Sequence, residues 1–456
     1  MYDWYESKCT PTLGTDIDIL TLGCSKNLVD TERLMAQLEA LGFVCHHDPE
    51  QATAPIAVIN TCGFIGDAKE ESINTILQFA ARKTDPDTPY PLQKLYVMGC
   101  LSERYRAELE AEIPEVDAYY GKFDYEGLAE KLGELTRLPK ESSCSRKPRV
   151  ITTPSHYAYL KISEGCNRFC SYCAIPLITG RHTSRPMDQI LDEVRWLSQQ
   201  GVKEVNVIAQ DLSSYGLDLY KEHKLPELID RMAGIEGIRW IRLHYAYPAD
   251  FPEALLDVMA KHANVCKYID LAVQHCTDHM LQVMRRHLTA QEQDELLAHI
   301  RERVPGIVIR TTVMVGHPGE TEEDFEALLE WITKQRFERL GAFAYSDEEG
   351  TYAHKHYKDT IPDEIKQNRL AKVMATQQLI SAQWTEAQVG KKMLVIIDRQ
   401  EGDYFIGRTQ YDSPEVDCEI LVERQKTKDK RLQIGQMYEV EITRAEEFDL
   451  YGHLTT

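Results

Sequence analysis

Apolar residues in the first third of the chain fall in short continuous runs separated by stretches of helical period. Residues 17–22 (IDILTL), 57–60 and 95–98 read as strands, while 28–41 and 67–83 carry the spacing of amphipathic helices, the first ending at Gly42. Strands that alternate with helices predict βαβ units and a parallel sheet. The middle of the chain repeats the theme. Its predicted strands are 157–162, 204–209, 240–244, 268–273, 308–315 and 341–345, with helical patterns such as 187–200 and 321–335 between them. Six β/α units predict an incomplete TIM-like (β/α)6 barrel, short of the full eight. A helix over 366–388 then leads to short strands at 393–397, 404–409, 419–422 and 438–443, the pattern of a small antiparallel β-barrel. A polar segment, 141–148, reads as a linker. The expected organisation is an α/β protein with domains at 16–140, 150–385 and 386–456, and no internal repeat is evident.

Composition narrows the class of protein. The 456 residues are 43% hydrophobic and 27% charged, which is ordinary for globular domains with sizeable cores. No run approaches the ~20 apolar residues of a membrane span, and the polar start carries no signal-peptide core, so a cytoplasmic protein with no membrane partner is expected. Net charge is −21. A nucleic-acid-binding surface is normally basic, so the balance points away from generic DNA or RNA binding and suits a basic partner. Solubility alone also accounts for an acidic chain.

Twelve cysteines in a reducing compartment point to metal binding, catalysis or burial before disulfides. Cys9, Cys45, Cys144, Cys266, Cys276 and Cys418 sit in no metal-like spacing and read as small buried or surface residues. Cys166-Asn-Arg-Phe-Cys170-Ser-Tyr-Cys173 is different. Three thiols lie within eight residues, directly after the first predicted barrel strand, where barrel active sites form. Thiolates are natural iron–sulfur ligands, and three of them hold three irons of a 4Fe-4S cube while leaving the fourth iron open. Zinc with a distant fourth ligand is the alternative.

Cys24, Cys62 and Cys100 each follow a predicted strand of the first domain, and each adjoins a glycine. In a parallel sheet the residues just past the strand ends gather at one edge, where ligands bind. These three thiols either converge on one metal group or are separately buried. Two barrel segments, residues 209–216 with Gln210 and residues 315–321 with Gly316, Gly319 and Glu320, follow predicted strands and suit a ligand pocket. Ordinary turn chemistry, with Glu320 and Thr321 starting a helix, is the plainer reading.

The C-x3-C-x2-C triplet with Tyr172 before its last cysteine resembles the radical S-adenosylmethionine (SAM) superfamily. That resemblance implies a 4Fe-4S cluster on Cys166, Cys170 and Cys173 whose open iron binds SAM and cleaves it to a 5′-deoxyadenosyl radical. It also implies a SAM pocket to which Tyr172, Gln210, Gly316, Gly319 and Glu320 contribute. The whole arrangement, with three N-terminal cysteines, a radical SAM barrel and a small β-barrel, resembles the methylthiotransferases from about Asp16 onward. In that family the N-terminal cysteines hold a second 4Fe-4S cluster and the small barrel is a TRAM domain. The implied reaction converts C–H into C–S–CH3 with two SAM molecules, one as methyl donor and one as radical source.

The family acts either on tRNA adenosine or on a ribosomal protein. The run 23–30 (GCSKNLVD), the run 245–248 (YAYP), the run 343–351 and the run 412–417 resemble the branch acting on the ribosomal protein, the RimO type; Gln274-His275 and Met284-Arg-Arg286 are common to both. From Glu386 onward, 15 acidic residues face 10 basic ones. A barrel gripping RNA should be basic, whereas an acidic one suits a basic ribosomal protein. The implied substrate is an aspartate of small-subunit ribosomal protein S twelve, modified at its β-carbon to 3-methylthioaspartate. Its partners would be that protein or the small ribosomal subunit, and an electron donor such as a flavodoxin or ferredoxin, with no direct tRNA substrate. Three positions depart from the family pattern: His317 stands where relatives often have Phe, and Cys276 and Cys418 replace residues that are usually small and non-thiol. A tRNA methylthiotransferase, and a non-catalytic metal-bearing ribosome-binding module, are the rival readings.

Overall fold

In this computed structural model, which describes residues 14–136, 147–423 and 432–455, the chain divides into two compact units, Met1–Thr152 and Thr153–Thr456. The first contains β1 (Asp16–Thr21), α1 (Ser25–Ala40), β2 (Val44–His47), β3 (Ile56–Thr61), α2 (Gly66–Thr84), β4 (Lys94–Gly99), α3 (Cys100–Glu112), β5 (Ala118–Tyr119) and α4 (Tyr125–Thr136). All five strands are parallel, in the order β2-β1-β3-β4-β5. Every residue of the central strand β3 is buried, because helices cover both faces. Ile56 and Val58 pack with Leu34 and Leu38 of α1 and Leu128 and Leu132 of α4. The alternate residues Ala57 and Ile59 pack on the other face with Ile76 and Phe79 of α2 and Leu109 of α3. This period of two on a strand buried twice over produces the continuous apolar runs of the sequence.

The second unit opens with β6 (Tyr157–Lys161), then a two-residue ladder of β7 (Ser163–Glu164) and β8 (Thr183–Ser184) that brackets α5 (Ile175–Thr179). It continues through α6 (Met187–Gln199), β9 (Glu204–Ile208), α7 (Leu225–Ala233), β10 (Trp240–Ala246), α8 (Ala254–Lys261) and β11 (Val265–Leu271). Helices α9 (Asp278–Val283) and α10 (Ala290–Arg303), β12 (Val308–Val315), α11 (Glu322–Gln335), β13 (Arg339–Ala344), α12 (Tyr352–His356) and α13 (Asp363–Glu386) complete this part. The six long strands pair in chain order from β6 to β13, all parallel. Each strand adds beside the one before it, so the sheet curls one way as a TIM barrel does, and six strands leave it open. The expected strand and helix positions are met within a few residues throughout.

Strands β14 (Lys392–Glu401), β15 (Tyr404–Arg408), β16 (Glu419–Glu423), β17 (Met437–Ala445) and β18 (Asp449–Leu454) close a small barrel around Val395, Ile397, Ile420, Val422, Val440 and Ile442. Four of its pairings are antiparallel, and closure is made by a parallel pair, β16 with β18. The small barrel sits against the N-terminal ends of the curled sheet. Arg408 reaches Glu204, the first residue of β9, at 2.8 Å, and Arg242 of β10 donates to the carbonyl of Gln410 at 2.7 Å. The opposite, C-terminal ends of the strands are left for the cysteine loop. Cys45 is half-buried and Cys266, Cys276 and Cys418 are buried, as small core residues are, whereas Cys9 and Cys144 lie outside the described residues.

Candidate functional site

In the first unit Cys24 lies three residues past β1, Cys62 directly after β3 and Cys100 directly after β4. These three strands are neighbours in a parallel sheet, so their C-terminal ends share one edge. The thiols are close enough to act on one another: Cys24 and Cys62 both raise the Cys100 thiol, and Cys24 raises that of Cys62. A side-chain carbon on Gly23 would stand 2.7 Å from Cys62 Cβ and 2.9 Å from its sulfur, and Gly23 holds φ +93°. Only glycine fits there, since the positive φ and the close approach coincide. Gly99, at φ +105°, is pressed against Asn60 Oδ1 in the same way.

A buried polar frame ties the loops together. Asn27 Nδ2 donates to the carbonyls of Leu22 and Thr61 at 3.0 Å, and Asn60 Nδ2 donates to the Asn27 carbonyl at 3.0 Å. Ser72 Oγ accepts from the Cys62 N–H and donates to the Cys62 carbonyl, both at 3.0 Å. Asn27 belongs to the 23–30 run, so that run is explained as scaffolding for the thiol edge. Burial pushes the Cys100 thiol up to about 12, against the pull of Lys122. For Cys24, at the exposed rim, the upward push of its surroundings is outweighed by Lys26, Lys122 and the N–H groups of Asn27 and Lys26, and its thiol falls below the usual range.

In the second unit Cys166, Cys170 and Cys173 occupy the loop between β7 and α5, past the C-terminal end of β6. The backbone fixes their spacing: the Cys166 N–H donates to the Gly180 carbonyl at 3.3 Å, and the Cys173 N–H to that of Cys170 at 3.1 Å. The intervening Ser171 donates its N–H to the Met284 carbonyl at 3.0 Å and accepts from the Ala353 N–H at 2.7 Å. Burial raises Cys166 to about 12, and both Cys166 and Cys170 raise Cys173 further, so the three sulfurs again lie within one another's field. Arg286, 2% exposed, places Nη1 3.5 Å from Cys170 Sγ and 3.4 Å from the Tyr172 hydroxyl. Its guanidinium lies 4.1 Å over the Tyr247 ring, and that of Arg168 lies 4.3 Å from the same ring. Tyr247 belongs to the 245–248 run and Arg286 to the 284–286 run, so both are accounted for here.

The remaining expected pocket residues divide. Tyr172 stands with the triplet, packed beside Cys170 and Cys173. Gln210, after β9, donates to Glu164 of the adjoining ladder, and its Oε1 is buried without a protein partner. Glu320 is engaged within the protein: it accepts from the Gly316 N–H at 2.7 Å, pairs with Arg369 of α13 and lies 3.4 Å from His275 Nε2. Gly316, at φ +74°, is pressed against the Lys366 side chain, and Gly319 holds φ +96°. These glycines let the loop meet α13 and turn. His317, fully buried, accepts from the Ser171 hydroxyl at Nε2 (2.9 Å) and donates from Nδ1 to the Pro318 carbonyl (2.9 Å). Its place is structural, bracing the cysteine loop.

The donor chemistry of both sets fits an iron–sulfur cluster: three thiols, on one loop or at one sheet edge, offer one ligand to each of three irons of a cube.

Residues 160–332 match the radical SAM superfamily, 389–454 the TRAM domain and 16–121 an uncharacterised protein family, UPF0004. The structure is similar to that of the radical SAM methyltransferase TsrM from Kitasatospora setae, with a TM-score of 0.53 at 16% identity, over 72% of this chain and 73% of that one; this is a likeness of fold. The fold and the matched families define a radical SAM enzyme. Its sequence is 59% identical to the ribosomal protein uS12 methylthiotransferase RimO of Phocaeicola vulgatus over 96% of this chain and 99% of that one. It is 56% identical to the RimO of Parabacteroides distasonis and 47% identical to that of Cytophaga hutchinsonii, over 96% of this chain and 98% of each relative. The chain therefore belongs to the RimO family of radical SAM methylthiotransferases, whose cofactors are SAM and 4Fe-4S clusters.

Lys122, at the thiol edge of the first unit, was not singled out from sequence, and Asp30 and Arg286 were noted only within the 23–30 and 284–286 runs. Their signal is spatial: nothing in the spacing of Lys122 from Cys100 marks it as a neighbour.

Proposed function

We propose that this enzyme transfers a methylthio group to the β-carbon of an aspartate in ribosomal protein uS12, giving 3-methylthioaspartate. The reading is supported above all by two thiol triplets, each at the C-terminal edge of a parallel sheet, in a chain 59% identical to a uS12 methylthiotransferase. In it Cys166, Cys170 and Cys173 hold the SAM-binding 4Fe-4S cluster, and Cys24, Cys62 and Cys100 hold the auxiliary one. When bound, the clusters and two molecules of SAM supply the radical, the methyl group and the sulfur chemistry. The protein's part is to hold and shield. Arg286 balances charge at Cys170, Tyr172 covers the cysteine loop, and Gln210 offers a buried amide oxygen to SAM. Gly316, Gly319 and Glu320 fix the loop that follows β12, on the same strand ends as the cysteine loop.

The organisation that goes with this reading is 16–140 for the auxiliary-cluster domain, 150–385 for the radical domain and 386–456 for the TRAM domain. An acidic TRAM domain suits a basic ribosomal protein and argues against direct tRNA binding. A flavodoxin or ferredoxin would supply electrons in the cytoplasm; among the described residues no helix is long and apolar enough to cross a membrane.

The test is direct. Reconstituted enzyme, SAM and reductant are incubated with isolated uS12 or with small subunits, and the protein's mass is measured. A gain of one methylthio group on an aspartate is expected; no gain, or methylthio-adenosine in tRNA instead, would overturn the substrate assignment. Iron and sulfide in Cys24→Ala, Cys62→Ala, Cys100→Ala protein should fall to half the wild-type content.

A further inference from the structure

The edge that gathers Cys24, Cys62 and Cys100 also holds a buried cation. Lys122 lies three residues past β5, the next strand along the sheet, and is 2% exposed. Its backbone N–H donates to Glu103 Oε2 at 2.9 Å. Glu103 stands in the first turn of α3, the helix that begins at Cys100, so one helix fixes both the thiol and the lysine. Lys122 Nζ stands 3.8 Å from Cys100 Sγ and 3.8 Å from Asp30 Oδ2. Asp30 is likewise buried and belongs to α1, the helix that Cys24 precedes. The cation and its counter-charge are thus carried by the same elements that carry the thiols.

The ammonium of Lys122 lies within hydrogen-bonding reach of Cys100 Sγ, so its charge stands directly beside one of the three sulfurs. A cluster held by three thiolates is a negative group beside this lysine, and adding an electron makes it more negative still. Reduction potentials of clusters follow net charge and hydrogen bonds to the sulfurs.

We propose that Lys122 is a positioning residue that raises the reduction potential of the auxiliary cluster, with Asp30 limiting the rise. The couple is uptake of one electron from an external donor, with no bond made or broken. The inference rests on the reading that Cys100 ligates this cluster.

The experiment uses full-length chain carrying Cys166→Ala, Cys170→Ala and Cys173→Ala, so that only the auxiliary cluster remains. It is reconstituted, titrated anaerobically and followed by electron paramagnetic resonance. Lys122→Met should lower the reduced-to-oxidised ratio at the parent's midpoint at least tenfold, about 59 mV for a one-electron couple. Asp30→Asn should raise that ratio, and Lys122→Arg should stay nearer the parent than Lys122→Met. Opposite signs at the two positions separate charge tuning from a structural defect. Ratios that stay within twofold of the parent, or that move the same way in both variants, overturn the inference. If Lys122→Met holds no iron, Asp30→Asn decides: a raised ratio supports the inference and an unchanged one overturns it. If the parent itself binds no cluster, the ligand assignment falls and the inference with it.

Discussion

The guanidinium of Arg286 stands 3.5 Å from the Cys170 sulfur and stacks 4.1 Å over Tyr247, which in turn donates to the Arg286 carbonyl at 2.7 Å. The arginine and the tyrosine thus hold each other against the thiol. A hydrogen bond to a charged group is worth ~1.5–3 kcal/mol. Arg286→Leu should therefore weaken retention of the barrel cluster roughly ten- to a hundredfold, by the same energy. Iron release to a chelator measures this. In Arg286→Leu the faster phase should carry half the iron, and the auxiliary half should release at the wild-type rate. Equal loss from both halves would mean a general folding defect.

Gly23→Ala tests the other edge. The new methyl group would meet Cys62 within 3 Å, at φ +93°. The left-handed backbone alone costs ~1–2 kcal/mol, and Cys62 must also move. The expected outcome is loss of the auxiliary half of the iron with SAM cleavage by the barrel half retained. Full iron content in this variant would show that Cys62 need not stay where it is.

The strand ends were legible in the sequence because β3 and β4, which lead to Cys62 and Cys100, are buried on both faces, and β1, which leads towards Cys24, is buried over Ile17–Ile19. Such strands print continuous apolar runs, and the residue after the run is the residue at the edge. The edge strands were not legible: Val44–His47 alternates between exposed and half-buried residues, and Ala118–Tyr119 is two residues long. Missing β5 meant missing Lys122, which reaches Cys100 from that strand's end. The last strand of the small barrel, Asp449–Leu454, was hidden for a related reason. It closes the barrel by pairing parallel to β16, and its Gly452 interrupts the apolar pattern. Side-chain roles were the least legible. Glu320 and Gly316 carry the composition of a ligand loop, yet their nearest partners are Arg369 and Lys366 of a helix some fifty residues on. Sequence order holds no record of that proximity.

Burial lowers the His317 imidazole to about 4, despite the carbonyl of Pro318 and the nearby Glu320. The folded chain therefore keeps the ring neutral while the unfolded chain protonates it near 6.5. Between those values the unfolded state binds more protons, so stability is full above pH 6.5 and is lost as pH falls towards 4. At 1.36 kcal/mol per unit the loss is about 3 kcal/mol. His317→Phe removes the proton site, and its stability should change by that much less over the window. Calorimetry of metal-free wild type and variant at pH 6.5 and 4.5 gives the comparison. A slope that His317→Phe leaves unchanged would place the acid sensitivity elsewhere.

Glu204 is fully buried where the small barrel meets the curled sheet, and two arginines converge on it, Arg408 at 2.8 Å and Arg242 at 2.9 Å. Burial would raise this carboxyl, but Arg408 and Arg242 outweigh it and hold the group below the usual range. Glu204→Gln keeps the shape and removes the charge, so two buried guanidiniums lose their shared partner, while Arg408 keeps Asp398 at 2.7 Å. Breaking a buried pair from one side costs ~3–5 kcal/mol. Removing Glu110 from its exposed pair with Arg106 should cost no more than about 0.5 kcal/mol. Urea unfolding of Glu204→Gln and Glu110→Gln side by side checks both values. The stability of Glu204→Gln should fall steeply while iron content in water stays at the wild-type level, because the pair lies at the strand ends opposite the cysteine loop. Loss of the barrel cluster from the folded variant would show instead that the two ends of the barrel are coupled.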